Sequence, residues 1–140
     1  MTSYLLDTNV ISEATKKQPN RGVTDFLKGV PLGQLYLSAI SIGELEWGIE
    51  TVPDATKRAA LRQWLTHSLL PDYASRILPI DEAVMVTWAR MTISSGKKPK
   101  QLPCTDALIA ALALHHGLTL VTRNSKDFAE FGVRLLSVWE

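Results

Sequence analysis

The stretch Tyr4-Leu5-Leu6-Asp7-Thr8-Asn9-Val10-Ile11 decides how this chain is read. A short apolar run climbs for three residues and then meets an acid, a hydroxyl and an amide. The run reads as a buried strand, and the polar triplet marks where that strand leaves the core. An acid there sits at the carboxyl edge of a sheet, the edge at which open α/β folds bind their ligands. The strand is expected over residues 3–7. A helix capped by Thr8 or Asn9 should follow to about Lys16, with Glu13 near capping-box distance.

The rest of the chain repeats this alternation. Val23, Phe26, Leu27 and Val30 recur at helical spacing, and Leu35 to Ile40 is a second strand. Ser41 is expected to cap the next helix with Glu44 three residues on, which also makes Glu44 readable as a capping-box partner. Gly43 and Gly48 in that helix suggest that another backbone passes close by. Asp54 should cap a helix carrying Leu61, Trp64, Leu65 and Leu69, which Pro71 and Asp72 end. Arg76 to Ile80 is a third strand, and Asp81 caps a helix with Val84, Trp88 and Met91 on one side. Residues 94–102 form a basic loop. Pro103 and Thr105 open a helix that is apolar all round and therefore buried on most sides, with Gly117 as its C-cap. Leu118 to Thr122 is a fourth strand, residues 124–131 a short helix, and Val133 to Trp139 the last strand. Strands separated by helices imply parallel pairing in a layered α/β sandwich, here as one domain over residues 1–140.

Bulk properties narrow the function classes. An apolar content of 46% with 21% charged residues argues against disorder. A net charge of +1 gives the whole chain no electrostatic footprint for nucleic acid, so any such site must be a local patch. The single cysteine, Cys104, excludes an internal disulfide and a multi-thiolate zinc site, and suits a reducing compartment. It reads as a small buried apolar residue. Asp7 interrupts the first apolar run, which argues against a signal peptide. No run approaches the roughly 18 to 20 apolar residues of a membrane span. A cytoplasmic protein is expected.

Three acids stand at the same edge of such a sheet. Asp7 follows strand one, Glu44 lies in the helix after strand two, and Asp106 lies in the first turn of the buried helix. Asn124 and Asp127 follow strand four. Taken singly, Asp7 could terminate its strand in an Asx-turn, and Asp106 could oppose a helix dipole. Taken together, acids at one point repel one another unless a hard divalent cation, Mg2+ or Mn2+, gathers them. Such an ion activates water and stabilises charge in phosphodiester cleavage.

At these residues the chain resembles the PIN-domain family, in particular the ribonuclease toxins of VapBC-type toxin–antitoxin modules and their FitB-like subgroup. The likeness covers nearly the whole chain. It rests on LLDTNVISE (Leu5–Glu13), LYLSAISIGELEWGI (Leu35–Ile49), RILPID (Arg76–Asp81), CTDALIAALALHHGLTLVTRN (Cys104–Asn124) and KDF (Lys126–Phe128). The resemblance implies a PIN-like three-layer sandwich with a parallel sheet of about five strands flanked by helices. It also implies magnesium- or manganese-dependent cleavage of RNA, a homodimer, and inhibition by a small antitoxin. The family's acids fall on Asp7, Glu44 and Asp106, as catalytic groups and metal ligands. Asp127 or Asn124 fills the fourth position, where many relatives carry aspartate. Thr8, Asn9, Ser41, Thr122 and Asn124 are expected to orient the carboxylates. Arg123 and Lys126, with Lys97, Lys98 and Lys100 of the basic loop, are candidate phosphate contacts. His115 and His116, far from Asp106 along their helix, read as surface or C-terminal dipole residues. Trp47 and Trp64 read as core residues or as the wall of a groove for an antitoxin segment.

Other classes fit less well. A receiver-like phosphorylation domain needs an acidic pair after strand one, and here Thr8 follows Asp7. A haloacid-dehalogenase-like phosphatase needs Asp-x-Asp, which Asn9 breaks. A PIN fold without nuclease activity, acting as a binding protein, remains the alternative.

Overall fold

The apolar runs become five short strands: β1 (Tyr4–Leu6), β2 (Leu35–Ser38), β3 (Ile77–Leu78), β4 (Thr119–Val121) and β5 (Leu135–Leu136). The computed structural model describes residues 1–96, 98 and 104–140, Cys104 by its backbone alone. Every strand pair is parallel, in the order β3-β2-β1-β4-β5. The helices between them are α1 (Thr8–Ala14), α2 (Arg21–Gly29), α3 (Ala39–Glu50), α4 (Ala55–Trp64), α5 (Leu70–Tyr73), α6 (Glu82–Ser95), α7 (Cys104–His116) and α8 (Ser125–Phe128).

Side chains alternate across the sheet and build two cores. Leu5, Leu120, Leu135, Tyr36 and Leu78 face the side covered by α6, α7 and α8. Leu6, Val121, Leu136, Leu37 and Ile77 face the side covered by α1 to α5. The period-2 geometry of a strand produces this division. The apolar middle of α7 buries Ala107, Ile109, Ala110, Ala111, Leu112 and Ala113. The strand order makes the chain leave β1 for one side of the sheet through β2 and β3, then return to the other side at β4. The carboxyl ends of β1 and β4 therefore flank the point where the topology reverses, the place for a ligand crevice in such a sheet.

Several elements begin or end differently from expectation. Asp7, rather than Thr8 or Asn9, caps α1, its carboxylate accepting from the Thr8 N–H at 2.8 Å. Glu13 forms no capping box. It is buried and accepts from Lys16 Nζ and the Asn20 N–H, both at 2.9 Å. β2 stops at Ser38, whose Oγ accepts from the Ser41 N–H at 3.0 Å, so Ser38 is the cap and Ser41 lies inside the first turn. Glu44 is therefore no capping-box partner. Asp54 and Asp81 cap α4 and α6 as expected, and Gly117 takes the left-handed conformation after α7.

Pro71 does not end the helix before it. α4 widens into a π-turn over Leu65–Leu69, in which the Leu70 N–H reaches the Leu65 carbonyl, and Pro71 then sits in the first turn of α5. There its missing N–H costs little. Strands three and five are shorter than expected because only their middle residues find a ladder partner. α6 runs to Ser95, with Gly96 at φ 73° as its C-cap. Lys97, Lys100 and Pro103 lie outside the described residues, as does the Cys104 side chain.

The glycines of α3 are not squeezed. A Cβ at Gly43 or Gly48 would meet nothing within 4 Å. The close approach is at Gly22 instead, where a Cβ would come 1.9 Å from the Val138 carbonyl oxygen. The expected outcome is a split by position. Gly22→Ala destabilises by about 1–3 kcal/mol through overpacking against backbone. Gly43→Ala and Gly48→Ala each stabilise, by up to about 1 kcal/mol. Urea unfolding of the three variants checks this.

Candidate metal-binding carboxylate site

β1 delivers Asp7 to the topological reversal, and the neighbouring strand supplies its support. The Asp7 N–H donates to the Val121 carbonyl at 2.9 Å, which extends the β1–β4 ladder by one residue. The buried Thr122 hydroxyl donates to Asp7 Oδ2 at 2.8 Å. Asn9 Nδ2 donates to the same oxygen at 3.3 Å, and the Thr8 N–H holds Oδ1. Thr122 Oγ1 itself accepts from the Asn124 N–H at 3.1 Å. Burial pushes the Asp7 carboxyl above the usual carboxylate range, opposed by the donors from Thr122, Thr8 and Asn9.

Glu44 reaches the site from α3 through a relay of hydroxyls. Thr8 Oγ1 lies 2.7 Å from Glu44 Oε1 and 2.7 Å from Ser41 Oγ. A hydroxyl has one hydrogen and an ionised carboxylate only accepts. Thr8 therefore donates to Glu44 and takes its own hydrogen bond from Ser41. Ser41 in turn lies 3.3 Å from Ser38 Oγ. The buried Ser38 and Ser41 thus orient an exposed carboxylate through Thr8, which ties α1 to α3.

Asp106, in the first turn of α7, is half-buried. Its carboxyl is pushed up to about 6, chiefly by burial, then by the neighbouring charges of Asp7, Asp127 and Glu44. Four acids from four different elements thus act on one another at one edge of the sheet. No hydrogen-bond donor among the described residues offsets the rise at Asp106, whereas three donors oppose it at Asp7. The two aspartates are therefore held differently: three donors partly offset the burial of Asp7, and Asp106 has no such donor among the described residues.

The donor set is carboxylate oxygen with hydroxyl and amide support, which suits a hard divalent cation. Among the described residues, no three His, Cys, Asp or Glu side chains converge closely enough to hold an ion by themselves. Asp7, Glu44 and Asp106 share an electrostatic neighbourhood but form no ready-made three-carboxylate cage among the described residues. Mutual repulsion keeps like charges apart. Magnesium is commonly held by one or two carboxylates and keeps several waters, so this arrangement fits it.

The remaining candidates divide. Asn124, Lys126 and Asp127 are exposed and, with Arg123 and Ser125, line a cavity of about 360 Å3. Arg123 is also exposed; its N–H donates to Asn9 Oδ1 at 3.3 Å and its guanidinium lies 5.6 Å from the centre of the Trp139 ring. Lys98 is exposed, and Lys97 lies outside the described residues. His115 and His116 are exposed at the far end of α7. Trp47 is not a core residue but 72% exposed, because the buried stripe of α3 is Ser41, Leu45 and Ile49 and residue 47 falls on the opposite side. Trp64 is half-buried and lines a groove of about 920 Å3 with Leu61, Val52, Lys16 and Lys17. A smaller hollow beside Trp64 and Leu61 extends to Glu44. The contact of Trp139 with Arg123 carried no local signal, since the two residues lie apart in the chain.

Asp106 makes a testable pH dependence for the metal-free chain. Its folded value of about 6 lies above the ordinary aspartate value of 3.8, so the folded state binds the extra proton between them. Stability therefore falls as pH rises from about 4 to about 6, and the contribution is lost above that range. Thermal unfolding in chelator should show a midpoint that drops across this window, a flatter profile in Asp106→Asn, and recovery at neutral pH on adding Mg2+.

Known proteins resemble this chain in sequence and in fold. The chain is 38% identical to Toxin FitB of Neisseria gonorrhoeae over 135 residues, covering 96% of this chain and 97% of the toxin. The crystal structure of FitAcB from the same organism superposes with a TM-score of 0.88, at 38% identity over 95% of this chain and 96% of the other. VapC ribonuclease Y4jK of Sinorhizobium fredii is 34% identical over 97% of each chain. A toxin–antitoxin complex from Klebsiella pneumoniae matches with a TM-score of 0.72, at 27% identity over 99% of each chain. The PIN domain model matches residues 4–133, a span that holds Asp7, Glu44, Asp106 and Asp127 with the elements that carry them, and the chain belongs to the PIN-domain family.

Proposed function

We propose that the chain is a metal-dependent endoribonuclease, a hydrolase of RNA phosphodiester bonds, and the toxin of a VapBC-type toxin–antitoxin module. The observation that carries this is the carboxylate edge itself: Asp7 buried and held by three donors, beside an Asp106 raised to about 6 by burial and by Asp7, Asp127 and Glu44. Relatives that bear the names toxin and ribonuclease support it.

Asp7, Glu44 and Asp106 would hold Mg2+, or Mn2+ in its place, with Asp127 as the fourth acid. Bound there, the ion supplies an activated water and neutralises charge on the phosphate. The protein's own groups set the stage. Thr122 and the Thr8 N–H keep Asp7 ionised and aimed. Thr8, fed by Ser41, fixes the Glu44 carboxylate. Asn9 ties the segment after β4 to Asp7, and Asn124 closes the turn onto Thr122. Arg123 and Lys126 would meet the RNA phosphates, with Lys97 and Lys98 as further contacts.

An antitoxin segment would fill the groove beside Trp64, because that groove runs to Glu44 and so to the acids it must block. The whole chain would act as one domain. It would pair with a second copy through exposed apolar side chains, among them Trp47 on α3 and Met85, Val86 and Ile93 on α6. An enzyme acting on cellular RNA would work in the cytoplasm. No described helix is long and apolar enough to cross a membrane.

The test is cleavage of total bacterial RNA by antitoxin-free protein with Mg2+, Mn2+ or excess chelator. Discrete cuts that need metal are expected. Asp7→Asn and Asp106→Asn should each lose at least about 100-fold in rate, and Thr122→Val about 10- to 100-fold through its effect on Asp7. Folded protein that cuts nothing with either metal would sink the assignment, and cleavage undiminished in both aspartate variants would sink the site. Sedimentation addresses the pairing: the chain alone should run as a dimer, and Ile93→Glu as a monomer.

A further inference from the structure

We infer that Trp139, in the segment that follows β5, is a positioning residue for Arg123, and that this segment is a working part of the RNA site. The inference rests on the nuclease assignment above and extends it to residues beyond the span of the family model, which ends at 133. The guanidinium of Arg123 lies 5.6 Å from the centre of the Trp139 ring, within cation–π range. Arg123 is exposed, and its backbone is registered to the site: its N–H donates to Asn9 Oδ1, and Asn9 Nδ2 donates to Asp7.

The ring is held on both sides. Asn20 brackets the following residue, its Nδ2 donating to the Glu140 carbonyl at 2.9 Å and its Oδ1 accepting from the Glu140 N–H at 3.1 Å. The preceding residue, Val138, lies with its carbonyl against Gly22 at a distance no Cβ would tolerate. Asn20 is itself fixed by the buried Glu13. The indole packs with the core on the α1–α5 side, and its Nε1 is buried without a hydrogen-bond partner among the described residues. Burying an indole donor unpaired is costly. Phenylalanine would fill a purely apolar role without that cost, whereas tryptophan offers the strongest face for a cation.

A stacked guanidinium keeps its N–H edge free for a phosphate. It also loses less side-chain freedom on binding than a mobile one. Arg123 also lines the cavity shared with Asp127, so the Trp139 contact places the guanidinium beside the acids.

Steady-state cleavage of an unstructured RNA with Mg2+ tests this. Trp139→Leu should raise KM about 2- to 5-fold with kcat little changed, and Trp139→Phe should recover part of the loss. Arg123→Lys keeps the charge without the planar stack and leaves the Trp139 packing intact. It should raise KM in the same way even if Trp139→Leu folds poorly. In an Arg123→Ala background, adding Trp139→Phe should change KM no further. An unchanged KM in both Trp139→Leu and Arg123→Lys overturns the inference. So does an effect of Trp139→Phe that is the same size with and without Arg123. If the unmodified chain cleaves no RNA with either metal, the nuclease assignment fails instead, and that is visible before any variant is compared.

Discussion

The structure depends on holding one buried carboxylate in place at the end of its central strand. Asp7 is buried, and burial alone would favour its neutral form. The hydrogen bond from Thr122 opposes this most directly, at 2.8 Å and across 115 residues of sequence. It forms only if β4 lies beside β1 in the observed register, Leu6 opposite Val121. Sheet order and site chemistry are thus one constraint: the strand pair that builds the central core also places the hydroxyl that holds the acid.

The same economy governs Glu44. Ser38 ends β2 and caps α3, and its hydroxyl begins the relay through Ser41 and Thr8 to the Glu44 carboxylate. A capping interaction worth about 1 kcal/mol locally therefore also reaches, by way of Thr8 on α1, a carboxylate further along its own helix. Asp106 is treated differently. It stands on a helix whose other faces are apolar and receives no such support from the described residues. Like charges meeting without compensation are unfavourable in a stable fold unless something else supplies the positive charge. The imbalance between Asp7 and Asp106 is what the proposed cation would relieve.

Much of the architecture was legible because the relevant signals are local. Apolar runs broken by polar triplets announced the strands, and alternation with helices announced parallel pairing. The acids that follow β1 and open α7 were visible for the same reason. What misled were positions where two local signals compete. Ser38 and Ser41 can each cap a helix, and the end of the β2 ladder selected the first. Pro71 looks like a terminator, but a π-turn gave it a first-turn position. Gly43 and Gly48 looked like contact points, whereas the real contact is Gly22 against Val138, set by a segment more than a hundred residues away. Trp47 looked like core because tryptophan usually is; the stripe of Ser41, Leu45 and Ile49 left it outside.

By itself the sequence determined the kinds of element, their order, and the oxygen donors available at strand ends, because hydrophobic period and residue chemistry act within a few positions. The tertiary structure alone decided which donors support which acids. Thr122 rather than a neighbour in sequence holds Asp7, Thr8 serves Glu44 instead of capping its own helix, and the indole of Trp139 lies beneath Arg123. Those pairings depend on strand register and helix docking, which are settled by the packing of the two cores as a whole, and no short window of residues contains that information.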